Sequence, residues 1–372
     1  MNSLRIKNFK CFIDQEVEFN DLTILTGANG NGKSTIIQAL LLSRLAIEAN
    51  QRNFDKIDLN EKNILSLGTV QQIIPISSDT VDNVVFELKT NDIVAKKICL
   101  DVSDGEALFV KASIELDNPY VSWPIEKKEF YYLGAERLGP RTMTPIKAMD
   151  YVHVGVQGEF TAQVMGDPSF KIKVDAERRL IGFSEISPLN EQVNAWMDYI
   201  FPGVRISAYY DPNLMVAQIR VENNYSRSFP TLESNVGFGV SYVLPIIVDG
   251  LIAKKESVLI VENPEVHLHP AAQSRMGFFL ATMAAAGVNI IVETHSDHVL
   301  NGIQIAVGEG KLGSSKVVVN YLEENTEKNA PSVKPIRMTE KGELTAWPKG
   351  FFDQTQVDFV RMLKLRGFAC QN

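Results

Sequence analysis

One eight-residue stretch narrows the fold of this chain more than any other feature: Gly27-Ala28-Asn29-Gly30-Asn31-Gly32-Lys33-Ser34. It fits G-x-x-x-x-G-K-[ST], the spacing of a Walker A phosphate loop. Residues 22–26 before it are a short apolar run of the kind that forms a buried parallel strand. After it, Ile36, Ile37, Leu40, Leu41 and Leu45 recur at helical spacing within residues 34–49. Glycines let the backbone wrap a phosphate chain with its N–H groups turned inward. The start of the helix adds a dipole and free N–H groups. Asn29, Gly30, Asn31 and Gly32 are therefore expected around the phosphates, with Lys33 reaching the β and γ groups. Ser34 is expected to ligate Mg²⁺ and Thr35 to bond the α-phosphate. The expected ligands are ATP and Mg²⁺.

The rest of the chain reads as α/β. Leu4, Ile6 and Phe9 open one strand, and Val17 and Phe19 alternate with Glu16 and Glu18 in a second, half-buried one. Short strand-like runs at 84–88, 97–100 and 107–110 predict an antiparallel lobe inserted after the first helix. Residues 140–185 are poorly patterned and loop-rich. The spacing predicts a helix over 188–200, with Val193, Trp196, Met197 and Ile200 on one face. A hairpin over 204–221 turns at Asp211-Pro212-Asn213. From 236 the α/β pattern resumes: a helix over 242–253 with Pro245 near its start, a buried strand over 257–261, and a helix over 271–286. Further strands follow over 288–293 and 317–322.

Two of those strands end in chemistry. Residues 258–262 are four aliphatics closed by Glu262, and an acid there, beside a phosphate loop, holds Mg²⁺ through water. The second, 290–293, runs into Thr294-His295-Ser296. His295 lies where ligands gather in parallel sheets and could contact the γ-phosphate or the attacking water. Asn263, Glu265 and His295 join Glu262 as candidate catalytic residues. His267 and His269 have H-x-H spacing, but no third or fourth ligand stands near, so zinc is not expected.

Composition removes several classes. The chain has 372 residues and a net charge of −8, which gives no overall basic surface for nucleic acid. Cys11, Cys99 and Cys370 are far apart, with no metal or disulfide spacing. The N-terminus lacks the apolar core of a signal peptide, and no apolar run is long enough to span a membrane. A cytoplasmic protein with no membrane partner is expected.

The hairpin segment KNFKCF, the loop GANGNGKST and the segments ENPEVHLHP and ETHSDHVL, taken together, resemble ABC-type ATPase heads. Within that class the likeness is to the RecF, SMC and overcoming-lysogenization-defect (OLD) group and to the bacterial AAA-type ATPases near it. WPKGFFDQ at 347–354 resembles a subgroup of those ATPases. The resemblance covers nearly the whole chain and implies a single head over 1–372. Its nucleotide-binding α/β core would be 1–50 and 236–372, with an inserted β lobe at 51–135 and a helical signature lobe at 136–235. It also implies a composite site, in which two subunits enclose two ATP molecules and each lends a signature segment to the other. The candidate here is Ser234 to Ser241, with Gly237, Gly239 and Ser241 as the nucleotide contacts; it departs from the usual L-S-G-G-Q form. Arg137 and Arg141, in YLGAERLGPR, fall where the family senses nucleotide.

One departure bears on the chemistry. The family's strand end is Asp-Glu-Pro-Glu, and its first Glu polarises water; this chain has Glu262 and Asn263 at those positions. Asn can orient water but cannot accept a proton. Glu265 is the alternative acid; without it hydrolysis is expected to be slow, and ATP acts as a clamp. The sequence carries no D-x-D pair or other nuclease pattern. The first reading is thus a homodimeric or larger ATP switch for a separate effector, a nuclease or toxin, in anti-phage defence. The second is a RecF- or SMC-type head that clamps DNA; a transporter subunit is a third, for which no coupling surface is identifiable.

Overall fold

The computed structural model describes residues 1–372 except 63, 77–80, 119, 181–187, 225–229, 236, 326–329, 349 and 366–372. Val236 of the signature segment, Lys349 of the 347–354 motif, the end of the loop-rich 140–185 stretch and Cys370 therefore lie outside the described residues.

In chain order the amino-terminal part contains β1 (Asn2–Phe9), β2 (Phe12–Phe19), β3 (Leu22–Gly27), α1 (Lys33–Gln51) and β4 (Lys56–Asp58). Then come β5 (Asn83–Thr90), β6 (Ile93–Asp101), β7 (Phe109–Leu116), β8 (Phe130–Leu133), β9 (Thr144–Pro145) and α2 (Thr161–Gly166). The middle holds α3 (Leu189–Ile200), β10 (Arg205–Asp211), β11 (Val216–Glu222), β12 (Thr231–Leu232) and α4 (Phe238–Ile252). The last part holds β13 (Val258–Glu262), α5 (Pro270–Ala285), β14 (Asn289–Glu293), α6 (Asp297–Gly308), β15 (Val317–Asn325), β16 (Ala330–Ile336) and α7 (Gln354–Leu365).

The central sheet has the order β16-β15-β3-β14-β13-β8 and is parallel apart from β16. Its middle strands are aliphatic on both faces because both faces are covered. Val258 and Ile260 of β13 point to the side of α1, and Leu259 and Val261 to the helices α3–α6. Val193, Trp196 and Met197 of α3 and Met276, Phe279, Leu280 and Met283 of α5 are fully buried on that second side.

The antiparallel strands after α1 do not form a sheet of their own. They continue the N-terminal hairpin in the order β2-β1-β5-β6-β7-β4, with Leu4 opposite Leu88. Strand alternation reports which face is wet but not which strand lies next door, so this pairing was not readable. Residues 136–235 also hold a small sheet, β10-β11-β12 with β9 on β11, beside the expected helix and hairpin. The hairpin turns as expected, with Asp211 Oδ1 accepting from the N–H groups of Asn213 and Leu214.

Helix α4 starts at Phe238, four residues before the expected 242, so Pro245 lies inside it. A proline there leaves only the Ser241 carbonyl without its helical partner. The helix continues because Val243, Leu244, Ile246 and Ile247 all bury against the core.

Candidate functional site

The carboxyl ends of β3, β13 and β14 lie side by side on one edge of the parallel sheet. The register pairs Glu262 with Glu293, and Glu293 with Leu25. A cleft of about 560 Å³ opens at that edge. Asn29, Gly30, Gly32, Lys33, Ser34 and Thr35 line one side, and Glu262, Asn263, Glu293 and His295 the other. Lys10, Cys11 and Gln72 from the antiparallel lobe complete it.

The phosphate loop is held open by its backbone. Gly27 has φ +143°, and a Cβ there would overlap the carbonyl of Leu322 on β15. Asn31 does not line the cleft; its side-chain amide donates to that same Leu322 carbonyl at 3.2 Å and ties the loop to the sheet. Helix α1 has no side-chain cap and no acid in its first turn, so its N-terminal N–H groups and dipole face the cleft uncompensated. Lys33 is 5% exposed and donates from Nζ to the carbonyls of Gly27 (2.9 Å) and Ala28 (3.0 Å). Burial pulls its pKa down, against the opposing pull of Glu293 and Glu265.

Glu262, Asn263 and Glu293 line up opposite, with Glu265 behind them. The Tyr132 hydroxyl donates to Glu262 Oε1 at 2.6 Å. Burial raises the Glu262 carboxyl above its ordinary range, and that hydrogen bond works against the rise. Asn263 adopts a left-handed backbone, φ +44°, which asparagine tolerates better than most residues. Its N–H donates to the Glu293 carbonyl at 2.9 Å, and its buried Oδ1 has no partner among the described residues. Glu265 has both oxygens engaged, accepting from Thr294 Oγ1 at 2.7 Å and from the His295 N–H at 2.8 Å. It therefore braces the turn that carries His295 instead of facing the cleft.

In the sequence Glu293 reads only as the last residue of the strand over 290–293, and the structure puts it at the centre. It is 3% exposed, 3.8 Å from Lys33 Nζ and 3.4 Å from His295 Nε2. Burial, and next the nearby Glu262, push its carboxyl up to about 7. The available signal was the repetition itself: VLIVE and NIIVE are two aliphatic strands, each closed by Glu. His295 is driven toward the neutral form by burial and then by Lys33. Tyr132 and Lys10 were likewise given no role by the sequence.

The signature segment divides. Ser234, Asn235, Gly237 and Phe238 are exposed, whereas Gly239 and Ser241 face inward. A Cβ on Gly239 would lie 2.9 Å from the His267 carbonyl oxygen, so that glycine serves a close approach within the chain. Ser241 is 4% exposed and its hydroxyl oxygen is enclosed, so neither residue is open to a second subunit. None of the segment's described residues lines the cleft of its own chain.

Arg137 links the two regions. It is buried and donates to the carbonyls of Gly134 (2.9 Å), Glu262 (2.6 Å) and Asn263 (2.7 Å). Its guanidinium lies over the Tyr242 ring at 5.3 Å, and His267 packs against Tyr242 and Phe238. Arg141 is exposed. His269 caps α5 by accepting from the Ala271 N–H at 3.4 Å, which gives it and His267 structural partners.

The donor set suits Mg²⁺ with a nucleotide. Among the described residues no cluster of three or more His, Cys, Asp or Glu could hold a metal alone. The hydroxyls of Ser34 and Thr35 and the carboxylates of Glu262 and Glu293 border the cleft beside the phosphate loop. Mg²⁺ in such sites takes its remaining ligands from phosphates and water.

A phosphate loop at the edge of a covered parallel sheet, faced by buried carboxylates, defines a P-loop ATPase head. Comparison with known proteins narrows this. Residues 3–118 match an AAA domain family, and residues 125–301 a family described as "AAA domain, putative AbiEii toxin, Type IV TA system". Residues 312–362 match a protein family of unknown function, DUF3696. The Old nuclease of Escherichia phage P2 is 24% identical over 186 residues, covering 43% of this chain and 30% of the nuclease. The match thus spans less than a third of that relative's length. An SMC head, solved bound to the C-terminal winged-helix domain of ScpA, aligns over 90% of this chain and 97% of its own. It is 14% identical, with a TM-score of 0.54. Another SMC head, from Thermotoga maritima, aligns over the same shares at 14% identity and a TM-score of 0.44, and the fold comparison rests on the first. The chain thus carries AAA-domain sequence over residues 3–118 and 125–301 and has the fold of an SMC-type ATPase head, with a partial likeness to the Old nuclease. ATPases of this class use ATP with Mg²⁺. Among the described residues no helix is long and apolar enough to cross a membrane.

Proposed function

We propose that the chain is an ATP-operated dimeric switch that controls a separate effector protein. One observation carries this reading. The backbone carbonyl of Glu262, whose carboxylate borders the phosphate-loop cleft, and the exposed start of α4 are joined through Arg137, Tyr242 and Phe238, with His267 packed against both rings. Nucleotide in one cleft can thereby set the position of an exposed helix N-terminus. Such a helix end, with Gly237 and Phe238 outward, suits contact with the γ-phosphate held by a second copy.

In this reading Lys33 leaves the Gly27 and Ala28 carbonyls for the β/γ-phosphates, and Ser34 and Glu262 hold Mg²⁺. Asn263 orients water, and Glu293, against Lys33 and His295, is the acid closest to the part that position 263 cannot play. Turnover is slow and binding closes the dimer. Sedimentation of the Glu262→Gln form, with and without Mg-ATP, tests this. A nucleotide-dependent shift from monomer to dimer is expected, and a monomer in both conditions rejects the switch.

The effector reading draws support from the AbiEii toxin family description and from the phage-borne Old nuclease. Pull-down from the native host should recover a nuclease or toxin in one nucleotide condition and not the other. The SMC-like fold supports the DNA-clamping alternative, which predicts ATP-dependent, salt-sensitive DNA retention. DNA binding that is strong in low salt and absent without ATP would favour that alternative.

A further inference from the structure

Behind the nucleotide cleft, between α1 and β8, lies a second cavity of about 230 Å³. Tyr131, Tyr151 and His153 form an aromatic wall, with Tyr131 and Tyr151 edge to face at 5.8 Å and Tyr151 and His153 at 5.1 Å. Leu41 and Leu45 of α1 form an apolar wall. The polar end is Asp249 of α4, a residue only 1% exposed. Its Oδ1 accepts from the Val154 N–H at 3.0 Å, and no described residue donates to its second oxygen. A buried carboxylate with an unused oxygen is costly unless a donor meets it.

The other charges around the cavity disfavour an anion. Arg44 spends its guanidinium on Glu48 (2.6 Å) and on the carbonyls of Ile125, Lys127 and Lys128. With Arg44 and Glu48 paired to each other, no free cation is left among the described residues of the cavity to hold a phosphate or carboxylate, and Asp249 is the acid left to meet a donor. Burial raises its carboxyl well above the ordinary range, a cost that a cationic or N–H head would relieve. The volume is below that of drug-sized pockets and matches a single-ring or nucleobase-sized molecule.

We propose that this cavity binds a small flat aromatic molecule with a cationic or N–H donor head, its head on Asp249 and its ring against Tyr131 and Tyr151. Occupancy is transmitted to the nucleotide site, because Tyr132 borders the cavity and its hydroxyl holds Glu262 at 2.6 Å. Helix α1 gives a second connection, since it runs from Lys33 and Ser34 to the cavity wall at Leu41 and Arg44. The transmission rests on the ATPase reading above; the binding does not.

Calorimetric titration of the full chain with benzamidine and with benzoate, equal in shape and opposite in charge, tests the site. Benzamidine should bind saturably, benzoate at least about tenfold more weakly, and Asp249→Asn should lose about tenfold in benzamidine affinity. Equal binding of both probes, binding of neither, or an unchanged Asp249→Asn affinity overturns the site. If Asp249→Asn fails to fold, the contrast between the two probes on the unmodified chain decides. Benzamidine should also change ATP turnover at least about twofold, and less in Tyr132→Phe; unchanged turnover at saturation overturns the transmission. A chain with no ATP turnover at all sinks the ATPase reading, while the benzamidine titration still stands or falls by itself.

Discussion

Replacing Glu293 with Gln should change how the stability of the nucleotide-free protein depends on pH. Glu293 is buried between Lys33 and His295, beside Glu262, with a carboxyl at about 7 against an ordinary 4.5. The folded protein therefore holds a proton there that the unfolded chain releases between about pH 4.5 and 7. Stability falls as pH rises through that window, because the folded state binds more protons than the unfolded one. Across the window the loss is about 3 kcal/mol, at roughly 1.4 kcal/mol per unit. Gln is nearly isosteric with the protonated acid and cannot ionise. Near pH 5 the two proteins should be close in stability. At pH 8 the variant should be the more stable by about 2–3 kcal/mol. Urea melts of both forms at pH 5, 6, 7 and 8 measure the difference. Parallel profiles, with a gap constant to within about 0.5 kcal/mol, would refute the placement of a neutral acid at this site.

Other outcomes follow from the same geometry. Lys33→Ala should weaken ATP binding by about 100-fold, read with a fluorescent nucleotide, since it removes the only buried cation of the loop; near-normal affinity contradicts the phosphate-loop assignment. Glu262→Gln should keep nucleotide binding and lower Mg²⁺-dependent turnover by about 100-fold in a phosphate-release assay. Asn263→Glu should raise turnover by about tenfold or more, whereas an unchanged rate shows that Glu293 already polarises the water.

Much of this site was legible because two signals coincide in the sequence. The loop from Gly27 to Ser34 combines a spacing with a strand before it and a helix after it, and the structure puts all three there. Glu262 and His295 were found because an acid or histidine at the end of an aliphatic strand stands out. Glu293 was missed for the same reason it matters: it reads as the last residue of a buried strand, and its neighbours Lys33 and Glu262 are distant in sequence. The inward turn of Gly239 and Ser241 was hidden by Pro245, which reads as a helix start but lies inside α4. The engagement of Glu265 with Thr294 and His295 depends on the register of β13 against β14, which local pattern does not encode.

The central claim, that a complete ATP site takes its phosphate loop from one chain and its α4 start from another, has a direct test. Lys33→Ala removes the first contribution, and Phe238→Asp removes the second. Each variant alone should be inactive in ATP turnover. Mixed, they should regain activity, because a mixed dimer holds one site built from an intact loop and an intact α4 start. A mixture as inactive as its parts, under conditions where the two chains are shown to associate, would contradict the account.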